Sequence, residues 1–576
     1  MEIGRSRHRI VSVNLPDTSV QEILGKLKAG RIIYRIWEHD HTVWSDSPEE
    51  ISNRLGWLNS HGTMAESLES IRDFVGEVSA DGYTRALLLG MGGSSMAPEV
   101  FRKIFDVRDG YLDLDVLDST DPGAVLEKEN NFDPQKTLFI VSTKSGGTVE
   151  TISLMKYFYN KALKSVGSKN VGKHFVAITD PGSGLEQTAK ELRFRKIFLN
   201  DPDIGGRYSA LSYFGLVPAA LIGADLEQLL ENADAMACNA EASNCPVERD
   251  NTPAWLGAAL GALGSGGRDK VTLVLSPPIQ PFGAWLEQLI AESTGKEGRG
   301  LLPVDGETLA APEVYANDRL FIYMRLKGDA TYDKAVGRLK EAGQPVIQLN
   351  LHDRYALGGE FLRWMMATAV AGWALGINPF DQPNVESAKV LARDMVSAYQ
   401  EKGELPLVKP DLKVNGIEVY SGNSTENLHQ SWREFFRKAN SGENEGKGRS
   451  YIAIQAYLKP EPKTDHALQG LRDKIKTSSR MAVTVGYGPR FLHSTGQLHK
   501  GDAGNGLFVQ ITAGTSGDLP IPDQPGDDRS SISFGILKRT QAMGDRQALL
   551  DAGREVIRFH LDHDIAGSIK KLAEAI

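Results

Sequence analysis

Cysteine is almost absent: the 576 residues hold two, Cys238 and Cys245. So few exclude a disulfide framework, and their seven-residue offset matches no zinc pair. No apolar run approaches the length of a membrane span; the longest, such as residues 85–90, are strand-sized. The opening residues carry charge but no apolar stretch behind it, so no secretion signal is read and a reduced, cytoplasmic setting is expected. A basic excess is also missing, because Lys+Arg of 65 against Asp+Glu of 74 leaves −9. A chain of that balance is not expected to bind nucleic acid or a membrane surface, and positive charge for an anionic substrate must be gathered in a site.

What is present is ordinary globular composition, 41% hydrophobic and 24% charged, over a length that calls for two or three domains. Short β-rich runs at 85–90, 112–117, 137–142, 174–179 and 196–199 alternate with helical patterns such as 148–163 and 182–192. That alternation predicts a parallel sheet covered on both faces. A second set at 271–276, 320–325 and 345–350 has helices at 282–294 and 359–375 between its strands. Residues 400–450 read as a linker, and strands at 451–457 and 481–485 are expected to resume the second sheet after it. Further runs at 507–511 and 531–536 read as strands, with a helix near 546–560.

Two loops stand at strand-to-helix junctions, where α/β sheets bind ligands. One is Gly90-Met91-Gly92-Gly93-Ser94-Ser95; the other is Ser142-Thr143-Lys144-Ser145-Gly146-Gly147-Thr148, followed by Val149-Glu150-Thr151. Glycines let backbone N–H groups close on an anion, and hydroxyls and a lysine add donors. A dinucleotide site is the rival, with Asp118 placed as a ribose-binding acid, but Gly90-x-Gly92-Gly93 is not the G-x-G-x-x-G fingerprint. The seven Ser, Thr and Lys side chains of the loops suit one compact phosphate monoester.

These loops resemble those of sugar isomerase domains, and three further segments narrow the resemblance to phosphoglucose isomerases. They are Gly205-Gly206-Arg207-Tyr208-Ser209, Gln288-Leu289-Ile290-Ala291-Glu292-Ser293-Thr294-Gly295-Lys296, and Phe380-Asp381-Gln382-Pro383-Asn384-Val385-Glu386-Ser387-Ala388-Lys389. Segments 359–364 and 486–501 are similar to the isomerase half of bifunctional transaldolase–phosphoglucose isomerases; no stretch suggests a transaldolase barrel, so no transaldolase activity is expected. The resemblance implies an α/β fold of two doubly wound, mainly parallel sugar isomerase domains with helical N- and C-terminal extensions. The boundaries expected are 1–83 for the N-terminal extension, 84–230 for the phosphate-binding domain, 231–515 for the domain with the catalytic glutamate, and 516–576 for the tail.

The same resemblance implies interconversion of glucose 6-phosphate and fructose 6-phosphate through an enediolate, with no cofactor and no metal, in a homodimer whose site is completed across the interface. Glu292 is the implied base that moves the proton between C1 and C2, and Arg207 steadies the developing charge. Gly93, Ser94, Thr143, Lys144, Ser145 and Thr148 are implied to hold the phosphate, and Gln288 and Gln382 to orient hydroxyls or a water. Lys389 and a histidine are assigned to ring opening. That histidine is expected to be His493, in His493-Ser494-Thr495-Gly496-Gln497, ahead of His352 and of His499 as a third candidate. Two rivals remain: an isomerase that also takes mannose 6-phosphate or an amino-sugar phosphate, with Thr294 widening the pocket, and a non-catalytic sugar-phosphate sensor.

Overall fold

The computed structural model describes residues 2–3, 10–15, 17–241, 251–406, 408–440, 448–515 and 517–576; Cys245 lies outside the described residues. A short hairpin pairs β1 (Glu2–Ile3) with β2 (Ile10–Val13). Next come β3 (Arg85–Gly90), β4 (Asp113–Leu117), β5 (Thr137–Ser142), β6 (Phe175–Thr179) and β7 (Lys196–Leu199). These five form an all-parallel sheet in the order β4-β3-β5-β6-β7. The central strands β5 and β6 are buried throughout, as parallel strands covered on both faces must be.

The second sheet is built on β8 (Lys270–Leu275), β9 (Leu302–Val304), β10 (Arg319–Leu326) and β11 (Val346–Leu351). Its order is β1-β2-β11-β10-β8-β9, so the early hairpin covers one edge antiparallel to β11. Residues 1–83 are therefore more than a helical extension. Their hairpin belongs to the second sheet, and their helix Asp17–Ala29 packs on the helix Thr252–Ser265.

The later strands correct the expectation that they resume the second sheet. These are β12 (Leu412–Val414), β13 (Ile417–Tyr420), β14 (Tyr451–Tyr457), β15 (Ala482–Tyr487) and β16 (Gly506–Ala513). After a two-strand pair, β17 (Pro520–Ile521) with β18 (Ile532–Ser533), comes β19 (Glu555–Leu561). They form a separate third sheet in the order β12-β13-β19-β16-β14-β15. Residues 400–450 include the β12–β13 hairpin and the helix Leu428–Phe436, and part of the expected tail, β19, lies inside the sheet between β13 and β16.

The boundaries near the C-terminus also differ. The run expected as a strand at 531–536 is β18 followed by the start of the helix Phe534–Asp551. That helix stops before Gly553, whose φ of 69° suits the left-handed residue just past a helix end, and the chain turns into β19. Apolar residues in the expected 546–560 helix serve two elements, which is why the periodicity misled.

The third sheet has its own core around Trp432, Ile454, Leu471 and Phe559. It is seated on the second sheet through a buried cluster that joins Ala291 and Val304 to Tyr451, Leu498 and Phe508. On the other side, Phe534 and Leu537 enter the core beneath the first sheet, with Phe158 and Leu154. The contact is close: a Cβ on Gly295 would lie 2.3 Å from Leu498 Cα. Leu498→Ala should therefore cost about 2–5 kcal/mol, the range for deleting buried leucine side chains, read as a lower denaturation midpoint. An unchanged midpoint would show that this seat contributes little.

Candidate active site

The strand order of the first sheet reverses between β3 and β5, the place where doubly wound sheets bind ligands. Both hydroxyl-rich loops leave from there, one into the helix Gly93–Ile104 and the other into the helix Val149–Val166. The loops are tied together by the Ser142 hydroxyl, which donates to the Ser94 carbonyl at 3.0 Å. Buried Thr143 and partly exposed Thr148 bring their hydroxyl oxygens to 3.0 Å, while Ser145 accepts weakly from the Gly147 amide at 3.4 Å. Lys144 is not a free point charge: it pairs with Asp180 and donates to the Pro202 carbonyl at 2.7 Å. Asp118, the candidate ribose acid, instead accepts from Ser95 at 3.2 Å and pairs with Arg490 at 3.3 Å.

Gly92 and Gly93 are required by close approach. Gly92 has φ of 55°, and a Cβ there would stand 3.0 Å from the Cβ of His493. At Gly93 a Cβ would overlap the Gly206 carbonyl oxygen at 2.0 Å. The first loop is thus pressed against both the Gly-Gly-Arg turn and the histidine from the third sheet.

Arg207 is buried and fully engaged. Its Nε donates to Ser293 at 2.7 Å, Nη1 to the Gln382 side-chain oxygen at 2.8 Å, and Nη2 to the carbonyls of Pro379 and Asp381 at 2.7 and 2.9 Å. Its Nη1 also lies 3.7 Å from Glu292 Oε1. Beside it, Lys296 donates to the Asp381 carbonyl and carboxylate, both at 2.6 Å. Burial, then the field of Arg207, pulls the Lys296 ammonium down to about 8 against the attraction of Asp381 and Glu292.

Glu292 and Gln288 lie one turn apart on the helix Phe282–Thr294 and so share a face. The Gln288 amide nitrogen donates to Glu292 Oε2 at 3.1 Å and to the His493 carbonyl at 2.9 Å. Its oxygen is buried without a protein partner. His493 ends a short 3-10 turn, Arg490–His493, that follows β15. Its Nε2 stands 3.0 Å from Glu150 Oε1, which also accepts from the Gln541 amide at 2.7 Å. Burial would raise the Glu150 carboxyl, but the charge and hydrogen bond of His493 hold it below the ordinary carboxylate range.

The structure therefore brings Arg207, Gln288, Glu292, Gln382 and His493 together within one chain, although the resemblance implies a site completed by a partner. Other candidates stand apart. His352 follows β11 on the second sheet, beside Asp353 at 3.4 Å. His499 is buried against Phe491 and Phe508, and burial pushes its ring well below the usual value. Lys389 is half-exposed on the helix Glu386–Lys402, with Glu386 at 3.9 Å as its ion-pair partner, although its field reaches Glu150. Thr294 faces away from the pocket: its hydroxyl donates to the Ile290 carbonyl at 2.7 Å and accepts from the Leu301 amide at 2.9 Å.

Sequence reasoning missed the parts played by Glu150, Gln541, Ser293 and Lys296. Glu150 sits in the quoted loop-to-helix segment, but only the fold shows that its partner arrives from a distant sheet. For Gln541 no local signal existed.

A family model described as phosphoglucose isomerase matches residues 39–305. A glucose-6-phosphate isomerase of Thermus thermophilus is 30% identical over 391 residues, covering 60% of this chain and 90% of the relative. A probable glucose-6-phosphate isomerase of Methanococcus maripaludis is 27% identical, covering 62% and 87% of the two chains. Among solved structures, a glucose-6-phosphate isomerase from Chlamydia trachomatis superposes with a TM-score of 0.59 at 17% identity, over 69% of this chain and 90% of that one. A hypothetical protein from Thermus thermophilus superposes with 0.56 at 25% identity, over 67% and 99%. The 30% identity to the Thermus relative, matched over 90% of its length, places the chain in the phosphoglucose isomerase family.

Proposed function

We propose that the protein interconverts glucose 6-phosphate and fructose 6-phosphate, with Glu292 as the proton shuttle. What carries the reading is the run of contacts from Arg207, 3.7 Å from Glu292, through the hydrogen bonds of Gln288 to Glu292 and to the His493 carbonyl, and on to Glu150, set beside the phosphate-type loops.

The phosphate is bound by the loops, through the Gly93 amide and the hydroxyls of Ser94, Thr143, Ser145 and Thr148. Lys144 adds its charge by exchanging part of its pairing with Asp180. His493, held in one orientation by Glu150, opens the ring by moving a proton to the ring oxygen, with Lys389 sharing that step. A carboxylate suits the isomerisation itself, because Glu292 can take the proton from C2 and return it at C1 on one face of a planar enediolate. Arg207 is locked by its own hydrogen bonds and needs no rearrangement as charge develops on the enediolate oxygens. Gln288 and Gln382 hold Glu292 and Arg207 in register.

A homodimer and a cytoplasmic setting belong to the same proposal, supported by family membership. The dimer does not have to supply the histidine, since His493 reaches the Gln288 amide in its own chain. No helix among the described residues is long and apolar enough to cross a membrane.

Glu292→Gln is expected to lower kcat for fructose 6-phosphate by roughly 10²–10⁴, with KM and thermal midpoint little changed. The check is a coupled assay run with EDTA present; near-full activity in the variant would remove Glu292 from the base role. Glu150→Gln is expected to lower kcat on the order of 10²-fold by releasing the His493 ring. Its stability should differ in sign-specific fashion. The folded Glu150 carboxyl is held low, so its contribution is present above the ordinary carboxylate range and is lost as pH falls through the folded value. The glutamine variant should lack that acid-limb loss in a pH series of denaturant melts. Identical acid limbs would rule the pairing out as a source of stability.

A further inference from the structure

The third sheet repeats the wiring of the other two. Its parallel strands lie in the order β15-β14-β16-β19, so the strand order reverses between β14 and β16. In the first sheet the corresponding reversal, between β3 and β5, carries the phosphate-type loops. In the third sheet a cavity of about 240 Å³ lies between one face of β13, β19, β16 and β14 and the helix Phe534–Asp551. Tyr457 comes from β14, Thr512 from β16, Arg558 and His560 from β19, and Arg539 closes the cavity from the helix Phe534–Asp551.

The charges in this crevice do not balance. Lys538 is taken up by Asp121 at 2.8 Å, and the Glu418 carboxylate by Lys413 and the Tyr420 hydroxyl, both at 2.6 Å. Arg539 has no ion pair among the described residues, and Arg558 has none either. Arg558 instead lies over the Tyr420 ring at 3.8 Å, with its Nε buried and unpartnered. Burial also lowers its guanidinium from the usual range, against the pull of Tyr420 and of the Glu418 carboxylate and with the help of the Arg539 charge. Thr512 and His560 Nδ1, 2.9 Å apart, add a hydroxyl and a ring nitrogen. Two forked guanidiniums with a hydroxyl match a phosphate group better than a single carboxylate. The volume, below the roughly 300–1,000 Å³ of drug-sized pockets, suits a small phosphorylated metabolite.

The same helix reaches the catalytic region. Gln541, two residues from Arg539, donates to Glu150 at 2.7 Å and accepts from Thr120 at 2.8 Å. We propose that the crevice formed by Arg539, Arg558, Thr512 and His560 is a second binding site for a small phosphate-bearing ligand, coupled through this helix to the His493–Glu150 pair.

The test is calorimetric titration of the full-length chain with inorganic phosphate and, separately, with glycerol 3-phosphate. Two sites per chain are expected. Arg539→Gln and, separately, Arg558→Met should weaken one of them by roughly ten- to a hundredfold and leave ligand-free turnover of fructose 6-phosphate within about twofold. In the wild type both probes should also show a non-competitive component of inhibition or activation, absent in Arg539→Gln. Arg539 is exposed, so that variant keeps the test valid if Arg558→Met fails to fold. Binding of equal stoichiometry and affinity in wild type and Arg539→Gln would overturn the proposal. So would a single site lost in Thr148→Val. Tighter binding of either probe at the second site supports it and shows whether an ester or free phosphate is preferred.

Discussion

The buried guanidinium of Arg207 is the interaction on which the rest of the site depends. It is carried by a loop after the first sheet, yet its hydrogen bonds end on the Glu292 helix at Ser293 and on the Pro379–Gln382 turn. A buried cation needs each of those acceptors, since removing partners from such a charge costs on the order of 3–5 kcal/mol. The first two sheets therefore cannot shift against each other without stranding it. That rigidity holds Glu292 at 3.7 Å, close enough for its charge to be felt and outside direct hydrogen-bond range. The carboxylate keeps an oxygen available for chemistry and is steered by Gln288.

Gln288 extends the constraint to the third sheet. Its amide joins the glutamate to the backbone of the histidine turn, and Gly92 leaves the space in which that turn sits. The third sheet thus delivers His493 from the far end of the chain to a position that Glu150, on the first sheet, fixes in orientation. Three sheets with the same reversal in strand order each contribute a different kind of group: hydroxyl-rich loops, a carboxylate helix and an imidazole turn.

Much of this was legible in the sequence because it is local. Strands such as β3, β5 and β14 are short apolar runs bounded by turn residues, and their limits could be read directly. The loops, Arg207, Glu292 and Gln382 sit in contiguous motifs. What was not legible depends on sheet membership. The strand at 451–457 looks the same whether it joins an old sheet or starts a new one, because parallel pairing leaves no mark in a single strand. The Glu150–His493 and Gln541–Glu150 contacts span hundreds of residues, and Thr294 sits in the glutamate motif while facing Leu301. Lys389, placed by its motif, is half-exposed and tied to the site by its field alone, which no reading of spacing would have distinguished from direct contact.

The central claim is a proton carried by a carboxylate, and the isotope content of the product tests it most directly. Fructose 6-phosphate would be converted in D₂O and the glucose 6-phosphate formed examined by proton NMR at C2. A carboxylate that holds the proton between C1 and C2 exchanges it with solvent in some turnovers, so deuterium at C2 is predicted. Only protium at C2 after many rounds of interconversion is the outcome of a hydride shift, and would contradict a proton held on an exchangeable Glu292 carboxylate.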